Sequence, residues 1–390
     1  MTAGDWARRA ADAVAGFTST RSRGMDAMFG GPGGPTHAAR SAGARVWTAD
    51  GKELLDWTMS LGAVSLGYAH PDVTAAAVAA LESGSVHPLP PTLEVETAEA
   101  VCASYPGAEQ ARFFKTGAEA VAAAVRIARV ATGRTAVVHC GYHGWLDGPT
   151  GGPGVPREIG ALWHQVPFDD SLALSEACER CVPAAIVLEP VVERAPSPAW
   201  LQGARAVADR CGAVLVLDEI KTAFRIARGG AAEKWSVRPD LAVLGKALAN
   251  GLPLAAVVGR ADLMARVRET WISSTLATES VALAASRAVL QVWERMDVHS
   301  HLERVGRAVM EGLASSSGAR AGLFEVRGVP EMFYLRFSSE ETERRFLLDC
   351  AARGLLLKRG PYCFPCLAHT EADVEETIRV AGQAAAELLR

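Results

Sequence analysis

Asp218 and Lys246 are the two residues of this sequence whose types and positions most directly suggest chemistry. The apolar run 213–218 ends in Asp218, and the run 241–245 is followed at once by Lys246. A carboxylate at the end of a buried strand needs a partner, because an isolated buried charge is costly. A lysine amine at such a position can form a Schiff base with a carbonyl compound. On position alone, a solvated loop lysine is the commoner explanation.

Lysine chemistry has few candidates in this chain. The 390 residues include 40 Lys and Arg, and only six of these are lysines, at positions 52, 115, 221, 234, 246 and 358. Because lysine is scarce, we expect an arginine to bind the substrate carboxylate.

Two other segments offer a phosphate site and an aromatic platform. A strand predicted at 112–114 leads through Lys115 into Thr116-Gly117-Ala118-Glu119, at the start of an Ala-rich helix predicted over 117–131. Free backbone N–H groups and the helix dipole favour a phosphate there, and an ordinary capped helix explains the same residues. The run 135–140 leads into Tyr142-His143-Gly144, an aromatic ring followed by an acid–base group.

These four parts together are what a pyridoxal 5'-phosphate site requires. The lysine makes the Schiff base, the carboxylate pairs with the pyridinium nitrogen so that the ring acts as an electron sink, and the helix start holds the phosphate. Their combination outweighs the simpler explanation of each part.

The elements that must position these residues form an α/β fold. Apolar runs bounded by turn signals alternate with helical stretches, which predicts a mostly parallel sheet with helices on both faces. Ligands of such sheets bind at the carboxyl ends of the strands. The predicted strands are 112–114, 135–140, 184–190, 213–218, 241–245 and 254–259.

We expect three segments in the domain organisation. Residues 1–55 form the N-terminal segment of a small lobe, residues 56–285 a large cofactor-binding domain, and residues 286–390 a C-terminal small domain. A formal charge of -4 without a basic run argues against nucleic-acid binding. The first 16 residues lack the apolar stretch of a signal peptide or membrane span, so we expect a soluble, cytoplasmic protein.

Eight cysteines include two CxxC pairs, Cys178/Cys181 and Cys363/Cys366. A zinc or redox site is one explanation, but the pairs lie far apart in the sequence and no histidine stands at ligand spacing. Cys178 and Cys181 fit one face of a helix, and we expect no metal site.

From about Ala44 to Thr370 the chain resembles the class III aminotransferases of pyridoxal phosphate fold type I, in the branch that contains glutamate-1-semialdehyde aminomutase. The likeness rests on a colinear series of motifs: ARVWTADGKELLDW, SLGYAHPDV, TGAEA, GYHGW, LEPV, LDEIKTAFR, DLAVLGKALANGLPLAAVVGR and LAHTEADVEET. The resemblance implies the fold type I architecture, with a mostly parallel sheet and a smaller α/β lobe built from the N- and C-terminal segments.

The resemblance also implies roles for individual residues. Lys246 would form the Schiff base and carry a proton between the substrate carbon and the cofactor, and Asp218 would hold the pyridine nitrogen protonated. The other cofactor contacts it implies are Tyr142 stacked on one ring face with His143 beside it, Ile220 against the other face, backbone N–H groups of Gly117 and Ala118 on the phosphate with Thr116 nearby, and Thr275 on the phosphate of the neighbouring subunit of a homodimer.

Three departures from the family pattern bear on the substrate. Lys115-Thr116-Gly117-Ala118 replaces Asn-Ser-Gly-Thr, so one phosphate-binding hydroxyl is lost and Lys115 either compensates or faces solvent. Ser60-Leu61-Gly62 replaces Ser-Trp-Gly, and Arg359-Gly360-Pro361-Tyr362 stands where aminomutases carry Gln-Phe-Glu-Ala. Further candidates for substrate recognition are Glu193 and Arg194, in a loop that faces the cofactor in relatives, and Arg21 and Arg23, for each of which surface charge alone is the commoner explanation.

The sequence therefore predicts an aminotransferase that moves an amino group between an amino acid or amine donor and a carbonyl acceptor in a specialised biosynthetic pathway. An aminomutase, a decarboxylase or an epimerase of the same family is the alternative, because one cofactor serves all of these reactions. An inactive binding homologue is the remote alternative.

Overall fold

The computed structural model describes residues 3–390, which divide into two compact units. The small unit contains the described residues up to His70 together with Ser300–Arg390, and the large unit is Pro71–His299. The divisions fall later than the 55/56 and 285/286 boundaries expected from the sequence. One reason is that Tyr68 still bridges to Gly43 in the small unit. The other is that the helix ending at Arg295 packs on helices of the large unit.

Thirteen strands form three sheets within residues 3–390. In chain order they are β1 (Ala38–Ala42), β2 (Arg45–Thr48), β3 (Glu53–Asp56), β4 (Gln110–Phe114), β5 (Val137–Cys140), β6 (Trp163–Gln165), β7 (Ala185–Leu188), β8 (Val214–Asp218), β9 (Leu241–Leu244), β10 (Ala255–Gly259), β11 (Phe324–Val329), β12 (Met332–Phe337) and β13 (Leu355–Leu356).

The large unit is built on a seven-stranded sheet with the order β4-β10-β9-β8-β7-β5-β6. Strands β5 to β9 pair in parallel, whereas β10 is antiparallel to both of its neighbours, β4 and β9. Because both β4 and β9 are antiparallel to β10, they run in the same direction as each other. The carboxyl ends of β4, β5, β7, β8 and β9 therefore lie at one edge.

The helices are short to medium in length. They are α1 (Ala3–Ala13), α2 (Met25–Phe29), α3 (Met59–Gly62), α4 (Pro71–Glu82), α5 (Thr92–Ser104), α6 (Gly117–Thr132), α7 (Arg157–Gly160), α8 (Ser171–Cys181), α9 (Trp200–Cys211), α10 (Gly230–Lys234), α11 (Ala261–Met264), α12 (Ser280–Arg295), α13 (Val298–Ala314), α14 (Ser317–Arg320), α15 (Glu340–Ala352) and α16 (Glu371–Leu388), with 3-10 turns at Arg21–Arg23, Lys246–Ala249 and Ala265–Glu269.

Helix α6 shows how the local sequence sets an element that positions the site. Thr116 caps its start by accepting a hydrogen bond from the Glu119 N–H, while the Glu119 side chain accepts one from the Thr116 N–H. Gly133 ends the helix in the left-handed conformation that favours glycine. Between these ends the alanines and valines of α6 pack into the apolar core against β4, β7, β8, β9 and β10.

The small unit has its own sheet of β1, β2, β3 and β13, in which β13 pairs with β3 in parallel and the others are antiparallel. Trp57, at the end of β3, is fully buried and stacks on His369 with 4.0 Å between ring centroids. Just after it, α3 is a left-handed turn, with φ of 51° at Ser60 and 62° at Leu61. Among residues 3–390, no helix has the length and apolarity to cross a membrane.

Candidate active site

The carboxyl edge of the large sheet gathers the polar residues expected there from the sequence. Lys115 follows β4, Asp218 ends β8 and Lys246 follows β9. Tyr142 and His143 follow β5 after one glycine. Because these strands run in the same direction, the residues that follow them lie at the same edge of the sheet. Ligands of open α/β sheets bind at this edge.

Asp218 forms a buried pair with His143. Asp218 Oδ2 lies 2.7 Å from His143 Nδ1, and the two side chains are 2% and 0% exposed. The other ring nitrogen, Nε2, lies 3.1 Å from the carbonyl oxygen of Cys140. Both partners of His143 are acceptors, and the ring donates a hydrogen bond to at least one of them. His143 thus gives the buried carboxylate the polar partner that it requires.

Lys246 is the first residue of a 3-10 turn and has a left-handed φ of 46°. Burial lowers the pKa of its amine from the usual 10.5 to about 8, and the positive charge of Lys221 is the next cause. Glu189 and Asp218 oppose this shift, and Arg225 adds to it. A neutral amine is the form that bonds to carbonyl carbons, so the surroundings of Lys246 suit a Schiff-base lysine.

The start of α6 packs closely against two other segments, one that contains Gly144 and one that contains Ile220. We call this arrangement the Gly117 cradle. A Cβ atom at Gly117 would overlap Cδ1 of Ile220, and one at Gly144 would overlap Ala118. Glycine is therefore required at both positions for the three segments to approach. Thr116 uses its N–H and its hydroxyl on the Glu119 carboxylate, which leaves the N–H groups of Gly117 and Ala118 at the helix start.

Lys115 pairs with Glu279. The Nζ–Oε1 distance is 2.7 Å and each side chain is 17% exposed. Glu279 also caps α12 by accepting hydrogen bonds from the N–H groups of Val281 and Ala282. The question left open by the sequence is thus answered for Lys115, which binds a protein carboxylate. Thr275 is exposed in the loop just before this cap.

Glu189 and Lys221 are two site residues that sequence reasoning did not single out. Glu189 follows β7 at the same edge, accepts a hydrogen bond from the Tyr142 N–H at 2.9 Å and forms an ion pair with Lys221 at 2.8 Å. The signal was present, because Glu189 ends a strand-forming run and Lys221 is one of six lysines. The ring of Tyr142 itself is 66% exposed.

The remaining candidates lie in the loop after β7 or in the other unit. Arg194 pairs with Asp169 and lies over the Phe168 ring, while Glu193 is exposed with a left-handed φ of 57°. In the small unit, Arg21 and Arg23 form a 3-10 turn. Arg23 donates to Ser60 Oγ at 3.2 Å.

A cavity of about 620 Å³ lies within the small unit. Arg23, Leu61 and the buried Asp56 line it, and Tyr68 donates a hydrogen bond to Asp56 at 2.7 Å. Its volume is in the range of small-molecule sites.

Comparison with known proteins agrees with the motifs. The profile of the aminotransferase class-III family matches residues 32–150 and 171–383. The chain belongs to this family. It is 33% identical over 387 residues to the glutamate-1-semialdehyde 2,1-aminomutase of Desulfatibacillum aliphaticivorans, covering 89% of this chain and 91% of that protein. It is 36% identical over 391 residues to the enzyme of the same name from Gemmatimonas aurantiaca, covering 90% and 89%.

The similarity extends to solved structures. The pyridoxal phosphate internal aldimine form of the FumI protein of Sphingopyxis sp. MTA144 superposes with a TM-score of 0.94 at 25% identity, covering 100% of this chain and 96% of that one. The fold is that of the type I pyridoxal phosphate transferases, as the sequence predicted. As a member of the family, the chain is a pyridoxal phosphate-dependent transferase.

The residues at the sheet edge fit this cofactor. Gly117 and Ala118 are the first residues of α6, and backbone N–H groups at a helix start favour an anion such as a phosphate. The amine of Lys246 has a lowered pKa, which suits an aldehyde partner. The buried carboxylate of Asp218, backed by His143, suits a protonated ring nitrogen.

Proposed function

We propose that this class III family member is an aminotransferase that moves an amino group from an amino acid or amine donor to a carbonyl acceptor, using Lys246 as the cofactor lysine. The observation that carries the proposal is the meeting of a lysine of lowered pKa with a buried carboxylate–histidine pair at one sheet edge. Among the six lysines, Lys246 alone directly follows a parallel strand beside the one that ends in Asp218.

Pyridoxal phosphate supplies an aldehyde that bonds amines and a ring that accepts electrons. The neutral Lys246 amine would take a proton from the substrate carbon and pass it to the cofactor carbon, and in the second half-reaction it would move a proton in the opposite direction. Asp218, paired with His143, would hold a proton at the ring nitrogen. Proton transfer by a positioned side chain contributes about 10²–10⁴-fold to rate.

Other residues hold the cofactor in place. The N–H groups of Gly117 and Ala118 bind the phosphate, with Thr116 nearby as the helix cap. The exposed ring of Tyr142 covers one face of the pyridine, and Ile220, already in contact with the Gly117 cradle, packs against the other.

We propose that the active form is a homodimer in which Thr275 reaches the phosphate of the neighbouring subunit. Class III aminotransferases typically form dimers. Thr275 is exposed, and exposed apolar side chains cluster on α4 and the segment after it: Val78, Leu81, Val86 and Leu89. Apolar patches of this kind mark protein interfaces.

Substrate recognition is assigned to arginine. Arg23 is the best placed of the candidates, because its guanidinium lies at a cavity of ligand size and binds Ser60 of the left-handed turn. Arg21, Glu193 and Arg194 remain candidates. Arg194 is the weakest of them, since Asp169 and Phe168 already engage its guanidinium.

An aminomutase is the second candidate, because the sequence relatives at 33% and 36% identity carry that name. Against it, Leu61 stands where the family has tryptophan, and the segment Arg359-Gly360-Pro361-Tyr362 lacks the expected glutamate. Arg359 binds Glu340 and Glu343 instead.

A borohydride experiment tests the lysine. Reduction is expected to fix the cofactor on the peptide that contains Lys246, as seen by mass spectrometry, and Lys246→Ala is expected to abolish the adduct while Lys234→Ala retains it. An unchanged adduct in Lys246→Ala would overturn the assignment.

A half-reaction screen separates the two functions. Amino acids and amines are added singly to the holoenzyme, and conversion to the pyridoxamine form with release of a keto product is followed. An aminotransferase gives conversion with at least one donor. Isomerisation of glutamate-1-semialdehyde with no net donor consumption would establish the aminomutase instead.

A further inference from the structure

His139 is a buried histidine on the sheet face that carries Asp218. It lies in β5, two residues after Val137, so the two side chains project from the same face of the sheet. On that face Val137 and Val216 pack in the core with α6, and Asp218 follows Val216 by two residues in β8. His139 therefore shares a face with Asp218, and only 4% of it is exposed.

The ring of His139 contacts two other aromatic rings. Its centroid lies 5.6 Å from that of His143 with 69° between the ring planes, and 5.5 Å from that of Trp163 with 79° between the planes. Both are edge-to-face arrangements, which ring pairs favour. Trp163 is itself closely packed, because a Cβ atom at Gly148 would overlap its Nε1. His139 thus links the indole of Trp163 to the imidazole of His143.

The imidazole of His139 contributes its shape rather than its polarity. Nδ1 is buried and makes no hydrogen bond within residues 3–390. Burial lowers the pKa of His139 from 6.5 to about 4, with the neighbouring His143 and His164 as the next causes. The ring is therefore neutral near neutral pH and adds no charge beside Asp218. A buried polar atom without a partner is costly, so the packing of the ring has to outweigh that cost.

The ring of His143 needs to be held in one orientation. The terminal torsion of a histidine is broad and roughly two-fold. A half-turn of this ring would take Nδ1 away from Asp218 Oδ2, which lies at 2.7 Å, and Nε2 away from the Cys140 carbonyl oxygen, which lies at 3.1 Å. The two hydrogen bonds favour the observed orientation, and a ring packed against His143 hinders the others.

We propose that His139, supported by Trp163, is a positioning residue that holds the His143 ring in the orientation in which Nδ1 meets Asp218. Side chains whose own rotamers are locked by packing keep a functional group in place. Without His139, the His143 ring gains space to turn, and the carboxylate of Asp218 loses its partner for part of the time. The inference rests on the proposed role of Asp218 at the ring nitrogen of the cofactor.

Three variants separate the ring of His139 from the stability of the strand. His139→Ala removes the ring, and His139→Phe keeps a flat ring without the two nitrogens. Val138→Ala is the matched control, because it removes buried methyl groups from the preceding residue of β5, on the opposite face of the sheet. Urea denaturation is expected to show a loss of stability in both alanine variants, so an effect confined to His139→Ala reports on the His143 ring.

Proton NMR of the full chain, prepared with isotopically labelled histidine, follows the His143–Asp218 hydrogen bond without substrate. An imidazole N–H that donates to a buried carboxylate resonates far downfield, and its absence from His143→Gln assigns the signal. The rate at which this proton exchanges with water measures how well the ring is held. A wild-type proton that exchanges too fast to be observed would overturn the inference.

In His139→Ala the proton is expected to exchange at least about tenfold faster, and kcat with the best donor is expected to fall about tenfold, the lower end of the losses seen when residues that orient a metal-binding histidine are replaced. Val138→Ala and His139→Phe are expected to stay close to the wild type in both measurements. Wild-type exchange in His139→Ala, or the same acceleration in His139→Ala and either of the other two variants, would overturn the inference.

Two further results keep the outcomes distinct. If His139→Ala does not fold, as judged by circular dichroism, Trp163→Leu decides the question, because it removes the ring that supports His139, and an unchanged exchange rate there would overturn the inference. If Asp218→Asn keeps wild-type activity, the proposed function of Asp218 fails, while the exchange rate of the His143 proton still reports whether His139 holds the ring.

Discussion

Asp218 is the residue whose charge the candidate site uses most directly. Its carboxylate is buried, so water screens a charge there only weakly, and His143 is its hydrogen-bonded partner. Asparagine has nearly the same shape without the charge, which makes Asp218→Asn a substitution that removes charge and leaves packing in place.

Asp218→Asn is expected to lower kcat/KM by about a hundredfold or more, because ring protonation is no longer favoured and proton transfer from the substrate carbon slows. Steady-state kinetics with the best donor from the half-reaction screen would measure this loss. Asp262→Asn, at an exposed carboxylate that pairs with Arg260, is the control and should match the wild type. Equal activity of the two variants would contradict the assignment.

At Gly117 the neighbouring side chain of Ile220, and not the backbone conformation, is what excludes a larger residue. A Cβ there overlaps Cδ1 of Ile220, so Gly117→Ala is expected to weaken pyridoxal phosphate binding about tenfold, in line with the usual cost of overpacking. Ile220→Val removes Cδ1, and the double variant is expected to recover most of the affinity. Equilibrium dialysis would measure both. A double variant no tighter than Gly117→Ala would show that the clash is not the cause.

At the scale of elements, the cap of α12 connects the phosphate-side helix to the loop that carries Thr275. Glu279 accepts hydrogen bonds from two backbone N–H groups at the start of α12 and forms an ion pair with Lys115. Glu279→Ala is expected to lower the free energy of unfolding by about 1–2 kcal/mol, as the loss of a helix cap usually does. Glu269→Ala, whose ion pair with Arg266 is exposed, should change it by less than about 0.5 kcal/mol. Urea denaturation of both variants would test the difference.

The strands of the large sheet could be predicted because continuous apolar runs of that length are typical of buried strands. A mostly parallel sheet could also be predicted, since strands separated by helices pair in parallel, as β5, β7, β8 and β9 do. The direction of β10 was not predictable. A fully apolar run presents the same pattern in either direction, and only 10 residues separate β9 from β10.

The placement of candidate residues at the sheet edge was predictable where the end of a single strand supplies the residue. Asp218, Lys246 and His143 are of this kind. The partnerships of Lys115 with Glu279 and of Glu189 with Lys221 were not, because each joins residues that are distant in the sequence and whose pairing depends on the packed positions of several elements. Charge type and spacing carry no information about such contacts.

At the scale of the whole molecule, the proposed homodimer depends on exposed apolar side chains. Leu81 and Leu89 are 61% and 76% exposed. A double substitution, Leu81→Glu with Leu89→Glu, is expected to shift the protein towards monomers and to weaken cofactor binding, since Thr275 of the neighbour is lost. Leu172→Glu, at a leucine of α8 that is 70% exposed, is the control. Sedimentation equilibrium would show the change, and an intact dimer in the double variant would contradict this interface.

The stability of the apoenzyme is expected to depend on pH through buried histidines. Burial lowers the pKa of His369 from 6.5 to about 4, and its ring is held between Trp57, the Cys366 N–H and the Asp56 carbonyl oxygen. The unfolded chain therefore takes up this proton first, and the contribution of His369 is lost as the pH falls from 6.5 towards 4. The drop in melting temperature between pH 7 and pH 5 should be smaller in His369→Gln than in the wild type.

The antiparallel strand β10 also bears on the order in which the site is completed during synthesis. Within the sheet, β4 pairs only with β10, which lies some 140 residues further along the chain. A nascent chain that has not yet exposed Ala255–Gly259 can form β7 and β8 with Asp218 and can pack α6 against them, but its β4 has no strand to pair with. The strand that leads into the start of α6 is therefore fixed late in synthesis, and truncated chains ending before β10 are expected to bind pyridoxal phosphate more weakly than the full chain.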